Sequence, residues 1–314
     1  MAEHDGGRLA ILAAFAANLG IAIAKFVGFL FTGAASMLAE AIHSAADTGN
    51  QGLLMLGRAR SSRQPDELHP FGYGRLRYFW AFVVAIVLFS LGGVFATYEG
   101  IDKLRHPHEV ESLGWAVAIL AFALCAEGLS FRTAVREARP AKGDRSWWQY
   151  IRGARSPELP VVLLEDFGAL IGLCFAMTGV VLAATTDHPS FDAAGSLAIG
   201  ILLVVIAGVL AFEMSSLLVG EAAHPEAVDA IRAAIEHGEH VVRVIHLRTE
   251  HLGPEQLLVG AKVEFERDLT LPQLARAIDA TEVCVRAAVP EECLIYIEPD
   301  LYDDARDPAR PASS

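Results

Sequence analysis

Glu40, His43, Asp47 and Asn50 follow one another at steps of three, four and three residues. On an α-helix that spacing keeps all four within about 80° of one face. An imidazole and a carboxylate one turn apart can offer a nitrogen and an oxygen to the same divalent cation. One or two carboxylates from a facing helix would complete a four-ligand N/O set suited to Zn²⁺ and related ions. Glu165 and Asp166, adjacent acids in a second apolar stretch, are the candidates for that contribution, and Glu127 is a further acid in a third. Such ligands bind metal only when deprotonated, and His titrates near neutral pH, so a proton competes with the ion. The expected chemistry is capture and release of a divalent cation against protons, with His43, Asp47, Glu165 and Asp166 as ligands. Glu40, Asn50 and Glu127 are expected to belong to the same polar path. The alternative is a buried polar network that only holds helices together.

These groups lie in unusually apolar surroundings. The 314 residues are 53% hydrophobic and 20% charged, with a mean hydropathy of +0.38. Apolar runs near or above the ~20 residues needed to cross a bilayer recur through the first two-thirds of the chain. They predict an integral membrane, all-α bundle over 1–220, with transmembrane helices at about 9–31, 34–57, 76–98, 113–135, 159–186 and 191–213. Ionisable groups are costly inside a bilayer, so those above are functional candidates by position alone. Lys25, near the end of the first run, can snorkel to the interface. That run is too long for a secretory signal peptide and lacks a small-x-small cleavage site.

Positive charge sets the orientation. Arg58, Arg60, Arg63, Arg75 and Arg77 join the second and third helices, and seven Lys and Arg residues between 132 and 155 join the fourth and fifth. Only Lys103 and Arg105, diluted by acids, join the third and fourth. Both termini are therefore expected in the cytosol. Tyr78, Phe79 and Trp80 read as an interfacial aromatic belt, and Trp147, Trp148 and Tyr150 as residues on the membrane surface.

From residue 221 the composition becomes that of a soluble domain. Pro225–His237 reads as a helix, Val241–Thr249 and Leu257–Phe265 as strands, Leu271–Ala288 as a helix and Leu294–Ile297 as a last strand. The expectation is a cytosolic α+β domain of order αββαβ over 221–300, followed by a disordered tail at 301–314. Sixteen acids against seven bases in 221–300 argue against nucleic acid as a partner. His246 and His251 read as surface residues, and the four cysteines as buried free thiols. His-Glu-x-x-His, Gly-x-Ser-x-Gly and P-loop patterns are absent, which speaks against a membrane enzyme.

The stretch Ser36-Met37-Leu38-Ala39-Glu40-Ala41-Ile42-His43-Ser44-Ala45-Ala46-Asp47-Thr48-Gly49-Asn50-Gln51 resembles a signature of the cation diffusion facilitator family. His69-Pro70-Phe71-Gly72-Tyr73-Gly74-Arg75 and Leu247-Arg248-Thr249 with Gly253-Pro254 resemble later pieces, in the family's order. The resemblance implies a homodimer in the cell (cytoplasmic) membrane that exports Zn²⁺ or a similar ion from the cytosol by proton antiport. No resident cofactor is expected. Co²⁺, Fe²⁺ or Mn²⁺ as main substrate, or a dimeric membrane scaffold without transport, are the alternatives. Glu165-Asp166 stands where many members carry a His-x-x-x-Asp or Asp-x-x-x-Asp motif, and in this the chain resembles the subgroup that includes animal zinc transporter 9. A second metal site built by some members would draw on Asp66, His69 and position 73; Tyr73 is a poor ligand and argues against it.

Overall fold

The computed structural model describes residues 35–106, 113–186 and 188–302, with scattered helical positions between 15 and 30; the side chains of residues 35–44, 115 and 116 lie outside that description. The expected span at 9–31 lies largely outside the described residues, as does the chain from 303. The described chain forms two compact units. One holds its long helices; the other holds Gln64–Arg75 and the chain from Val219 onward.

In the first unit, α1 (Ala35–Ser61) carries the polar quartet and ends on Arg58 and Arg60. Then follow α2 (Leu76–Arg105), α3 (Leu113–Lys142), α4 (Trp147–Gly153), α5 (Glu158–Thr186) and α6 (Ser190–Val219). Among the described residues, four helices are long and apolar enough to cross a membrane: α2, α3 from Val117, α5 and α6. Several helices run past their apolar runs. Once a helix is nucleated each further residue adds a hydrogen bond, and the Arg and Glu residues that extend α3 to Lys142 are good helix formers.

The core of this unit gathers Leu54 of α1, Tyr78, Val84 and Leu88 of α2, Val161 of α5, and Leu203, Ile206, Leu210 and Met214 of α6. Small residues set the spacing of α2 and α6: a Cβ at Gly93 would lie 2.7 Å from Val204 Cγ2. Close backbone approach of this kind is how helices pack in a solvent as apolar as their own side chains. Polar pairs fix the Arg-rich ends. Arg77 Nε donates to Glu158 Oε1 at 2.6 Å, and Arg152 Nε to Glu213 Oε1 at 3.2 Å. Within α2, Leu88–Val94 is π-helical, a local widening that recurs at functional sites.

Three sequence expectations are corrected here. Tyr78 is fully buried in the helical core, so it takes no part in an interfacial belt, while Phe79 beside it is exposed. Tyr150 is likewise buried, against Ala134, Ala138 and Leu163, whereas Trp147 and Trp148 are exposed. The cause is the Ser146/Gln149 capping box, which starts α4 as a defined turn with one face toward α3 and α5. The four cysteines are free, but only Cys293 is buried; Cys125 and Cys174 sit on outward helix faces.

In the second unit α7 (Pro225–Glu236) precedes β1 (Val241–Gly253) and β2 (Gln256–Phe265), then α8 (Leu271–Ala288) and β3 (Glu292–Pro299). The sheet order is β1-β2-β3, with β1 and β2 antiparallel and β2 and β3 parallel. A parallel pair needs a long crossover, which α8 provides. Leu257, Val259, Ala261 and Val263 alternate inward along β2 and meet Ile231 and Ile235 of α7 and Ala277 and Val285 of α8. His251 is not a surface residue: it is 1% exposed at the end of β1, its backbone N–H bound to Glu221 O at 2.9 Å. The extra strand length beyond Thr249 carries it under the cover of 221–223. His246 is half-buried.

Gln64–Arg75 folds onto this unit. Arg75 pairs with Glu250 of β1. A Cβ at Gly74 would stand 2.6 Å from Leu252 O, so only glycine permits that approach.

Candidate functional site

The polar residues of α1 and α5 meet inside the helical unit. Asn50 is 1% exposed, and its Nδ2 donates to Glu165 Oε1 at 2.6 Å. Asp47, three residues earlier on α1, also lies against the Glu165 carboxyl. Three residues advance a helix by about 4.5 Å and return the chain nearly to the same face, so one carboxyl on α5 meets both α1 side chains. His43 stands one further turn along α1, at the position that continues this face; its side chain and that of Glu40 lie outside the described residues.

The two acids of α5 part company. Successive helical residues point about 100° apart, and Asp166, also buried, turns toward α3. Its Oδ2 accepts the Ser130 hydroxyl at 2.9 Å, and Glu127, one turn away on α3, is its charged neighbour. The structure therefore brings Asp47, Asn50 and Glu165 together, and separately brings Asp166, Ser130 and Glu127 together. Ser130 was not singled out in the sequence, where a hydroxyl three residues after an acid is too common to mark a site. Among the described residues, no three His, Cys, Asp or Glu side chains converge as a metal-binding group.

Beside the first cluster is a cavity of about 150 Å³, bounded by α1, α2, α5 and α6. Asp47 and Asn50 line one part, Glu99 and Ser196 another, and Leu88, Leu91 and Gly92 of the π-helical stretch lie in its wall. In the sequence Glu99 and Lys103 read as charges of a connecting segment, because the apolar run ends near 98; the helix itself continues to Arg105.

Asp66 and His69 are neighbours, 3.4 Å apart, but Asp66 is engaged by its own loop. Its Oδ1 accepts the backbone N–H groups of Leu68 and His69 at 3.1 and 2.8 Å, and its Oδ2 accepts the Tyr73 hydroxyl. The Tyr73 hydroxyl first, and the His69 amide second, hold this carboxyl below the usual carboxylate range. Tyr73 thus keeps its hydroxyl proton and donates it to Asp66 in a hydrogen bond, whereas a metal ligand offers a lone pair.

Comparison with known proteins agrees with this architecture. Residues 11–219 match the cation efflux transmembrane domain, and residues 223–300 match the cation efflux protein cytoplasmic domain. The chain is 37% identical over 245 residues to the human proton-coupled zinc antiporter SLC30A9, mitochondrial, covering 77% of this chain and 43% of that protein. It thus spans less than half the length of that relative. It is 27% identical to metal tolerance protein C4 of Arabidopsis thaliana, over 75% of this chain and 52% of the relative. It is 24% identical to the manganese efflux system protein MneP of Bacillus subtilis, over 93% of this chain and 96% of that protein. With both domain models matched in order along most of its length, this multi-pass membrane protein belongs to the cation efflux family, also called the cation diffusion facilitators.

Proposed function

We propose that the protein is a homodimeric, proton-coupled exporter of Zn²⁺ from the cytosol. It has six transmembrane helices, an αββαβ domain on the cytosolic side, and its N- and C-termini in the cytosol of a cell whose cytoplasmic membrane it spans. The observation that carries this reading is the buried contact of Asp47 and Asn50 on α1 with Glu165 on α5. A charge-bearing cluster in membrane-spanning helices is costly and is retained for function. The 37% identity to a proton-coupled zinc antiporter supports zinc as the cargo and protons as the counter-ion.

In this reading His43, Asp47 and Glu165 hold the ion, with Asn50 orienting Glu165. Asp166 and Glu127 form the adjacent acidic group on the α3 side and belong to the same polar path. The ligands must lose protons to bind metal, so protons entering from the other side displace it. A proton gradient directed into the cytosol then drives zinc out. The protein has no catalytic residue in this account. The cytoplasmic unit, with its matched family domain, supplies the dimer contact.

Manganese is the competing cargo, since a relative matched nearly end to end is a manganese efflux protein. The test is flux of Zn²⁺ and Mn²⁺ in proteoliposomes with and without an imposed pH gradient. Zinc flux that follows the gradient supports the reading; flux of neither metal overturns it.

A further inference from the structure

We propose that the cavity between α1, α2, α5 and α6 is the outward half of the ion path, and that Glu99 is its outer-end cation acceptor, occupied between transport events by Lys103. The inference rests on the transport reading above and adds residues that reading does not use.

Two observations point to a ligand in the cavity. Asn50 lines it and is 1% exposed, yet among the described residues its Oδ1 has no hydrogen-bond partner. The Nδ2 of the same amide donates to Glu165. A buried amide oxygen without a donor is unfavourable; a cation, or water bound to one, satisfies it. The wall between this oxygen and Glu99 includes the π-helical stretch Leu88–Val94, a feature that recurs at functional sites.

The far end of the cavity is built differently. Lys103 Nζ lies 3.2 Å from Glu99, 3.0 Å from Asp192 and 3.4 Å from the Ser196 hydroxyl. Glu99 and Ser196 line the cavity. Leu88 and Glu99 are eleven residues apart, ~16 Å of helix rise, so the path from the Asp47 cluster has a substantial length. Lys103 stands where a cation would stand and neutralises the outer mouth while the cavity is empty. A divalent ion reaching Glu99 attracts it with twice the charge of the ammonium. Lys103 then keeps Asp192 as its partner, and its return to Glu99 helps expel the ion outward. A tethered ammonium so placed also opposes re-entry of cations from outside.

The test uses the purified full-length protein in proteoliposomes, with Zn²⁺ as the probe. Glu99→Gln is expected to lower zinc flux at least ~tenfold, because a charge in a low-dielectric wall is lost, while zinc still binds at the Asp47 cluster by titration calorimetry. Lys103→Gln breaks the same ion pair but leaves the Glu99 carboxylate in place. If the pair were only structural, the two variants would lose flux alike; the proposal requires that Lys103→Gln loses much less, because Glu99 still accepts the ion. Wild-type flux in Glu99→Gln, or an equal loss in Lys103→Gln, overturns the proposal. Should Glu99→Gln fail to fold, Ser196→Cys in a Cys125→Ala/Cys174→Ala/Cys284→Ala background, which removes the exposed thiols, gives the same decision: zinc must slow its labelling by a membrane-impermeant thiol reagent, and unprotected labelling overturns the proposal. Absence of zinc flux in the unaltered protein would instead overturn the transport reading itself.

Discussion

Asn50 and Glu165, 115 residues apart in sequence, share a 2.6 Å hydrogen bond that ties α1 to α5 in the middle of the helical unit. The amide gives the carboxyl a fixed direction without adding charge. Replacing Asn50 with Ala removes that anchor and leaves Glu165 buried without its donor. We expect a loss of about 1–3 kcal/mol in stability together with weaker zinc binding. Thermal unfolding in detergent and titration calorimetry measure the two effects; stability and affinity both unchanged would show that the bond does not position Glu165.

The divergence of Glu165 and Asp166 predicts unequal consequences for two adjacent and chemically similar changes. Glu165→Gln removes a carboxylate facing Asp47 and should weaken zinc binding at least ~tenfold, as loss of a ligand charge in low dielectric implies. Asp166→Asn keeps an oxygen that can accept the Ser130 hydroxyl and should affect binding much less. Equal losses in the two variants, read by calorimetry on purified protein, would place both carboxylates on the ion.

At Asp66 the expectation concerns pH. Its folded pKa is held down, so its contribution to the loop is present above the unfolded value, near ~3.9, and is lost as pH falls through the folded value. Tyr73→Phe removes the largest stabilising hydrogen bond of the carboxylate. The Asp66 carboxyl should then titrate at higher pH, measurable by carbonyl ¹³C shifts in labelled protein in nanodiscs. Zinc flux at neutral pH should persist, because Asp66 stays ionised there.

The cytoplasmic unit depends on a core that is separate from the transport path. Ile235 is fully buried among β2 and α8 residues. Ile235→Ala should destabilise that unit by about 2–5 kcal/mol. Denaturant titration followed by far-ultraviolet circular dichroism of the full-length protein tests this; an unaltered profile would contradict the packing described.

Asp47 and Asn50 stand out in the sequence because two constraints act on the same residues: a helical period and an apolar background in which polar groups are conspicuous; the side chains of Glu40 and His43, on the same period, lie outside the described residues. Glu165 was legible by its apolar surroundings, but the turn of Asp166 toward Ser130 was not, since which way two adjacent side chains face depends on the neighbouring helices. The belt expectation failed at Tyr78 for a related reason. Aromatic character at a helix start suits both an interface and a tight core, and only the packing of α2 against α1, α5 and α6 decides between them. His251 was misread because alternation alone did not show that β1 runs on to Gly253 beneath the chain at 221. Glu99 and Lys103 read as charges of a connection because they lie beyond an apolar run, whereas α2 runs on through both and carries Glu99 into the cavity wall.

The central claim, that carboxylates of the α1–α5 cluster bind zinc in exchange for protons, is tested most directly by changing Asp47 to Asn. The substitution keeps the shape of the side chain and removes one negative charge from a site where charge counts for more than at the surface. Zinc flux should be measured in proteoliposomes with an imposed pH gradient, alongside the unaltered protein and with folding checked by size-exclusion profile. The account predicts gradient-dependent flux in the unaltered protein and at least a ~tenfold loss in the folded variant. Zinc flux that ignores the pH gradient and survives the Asp47→Asn change would contradict it.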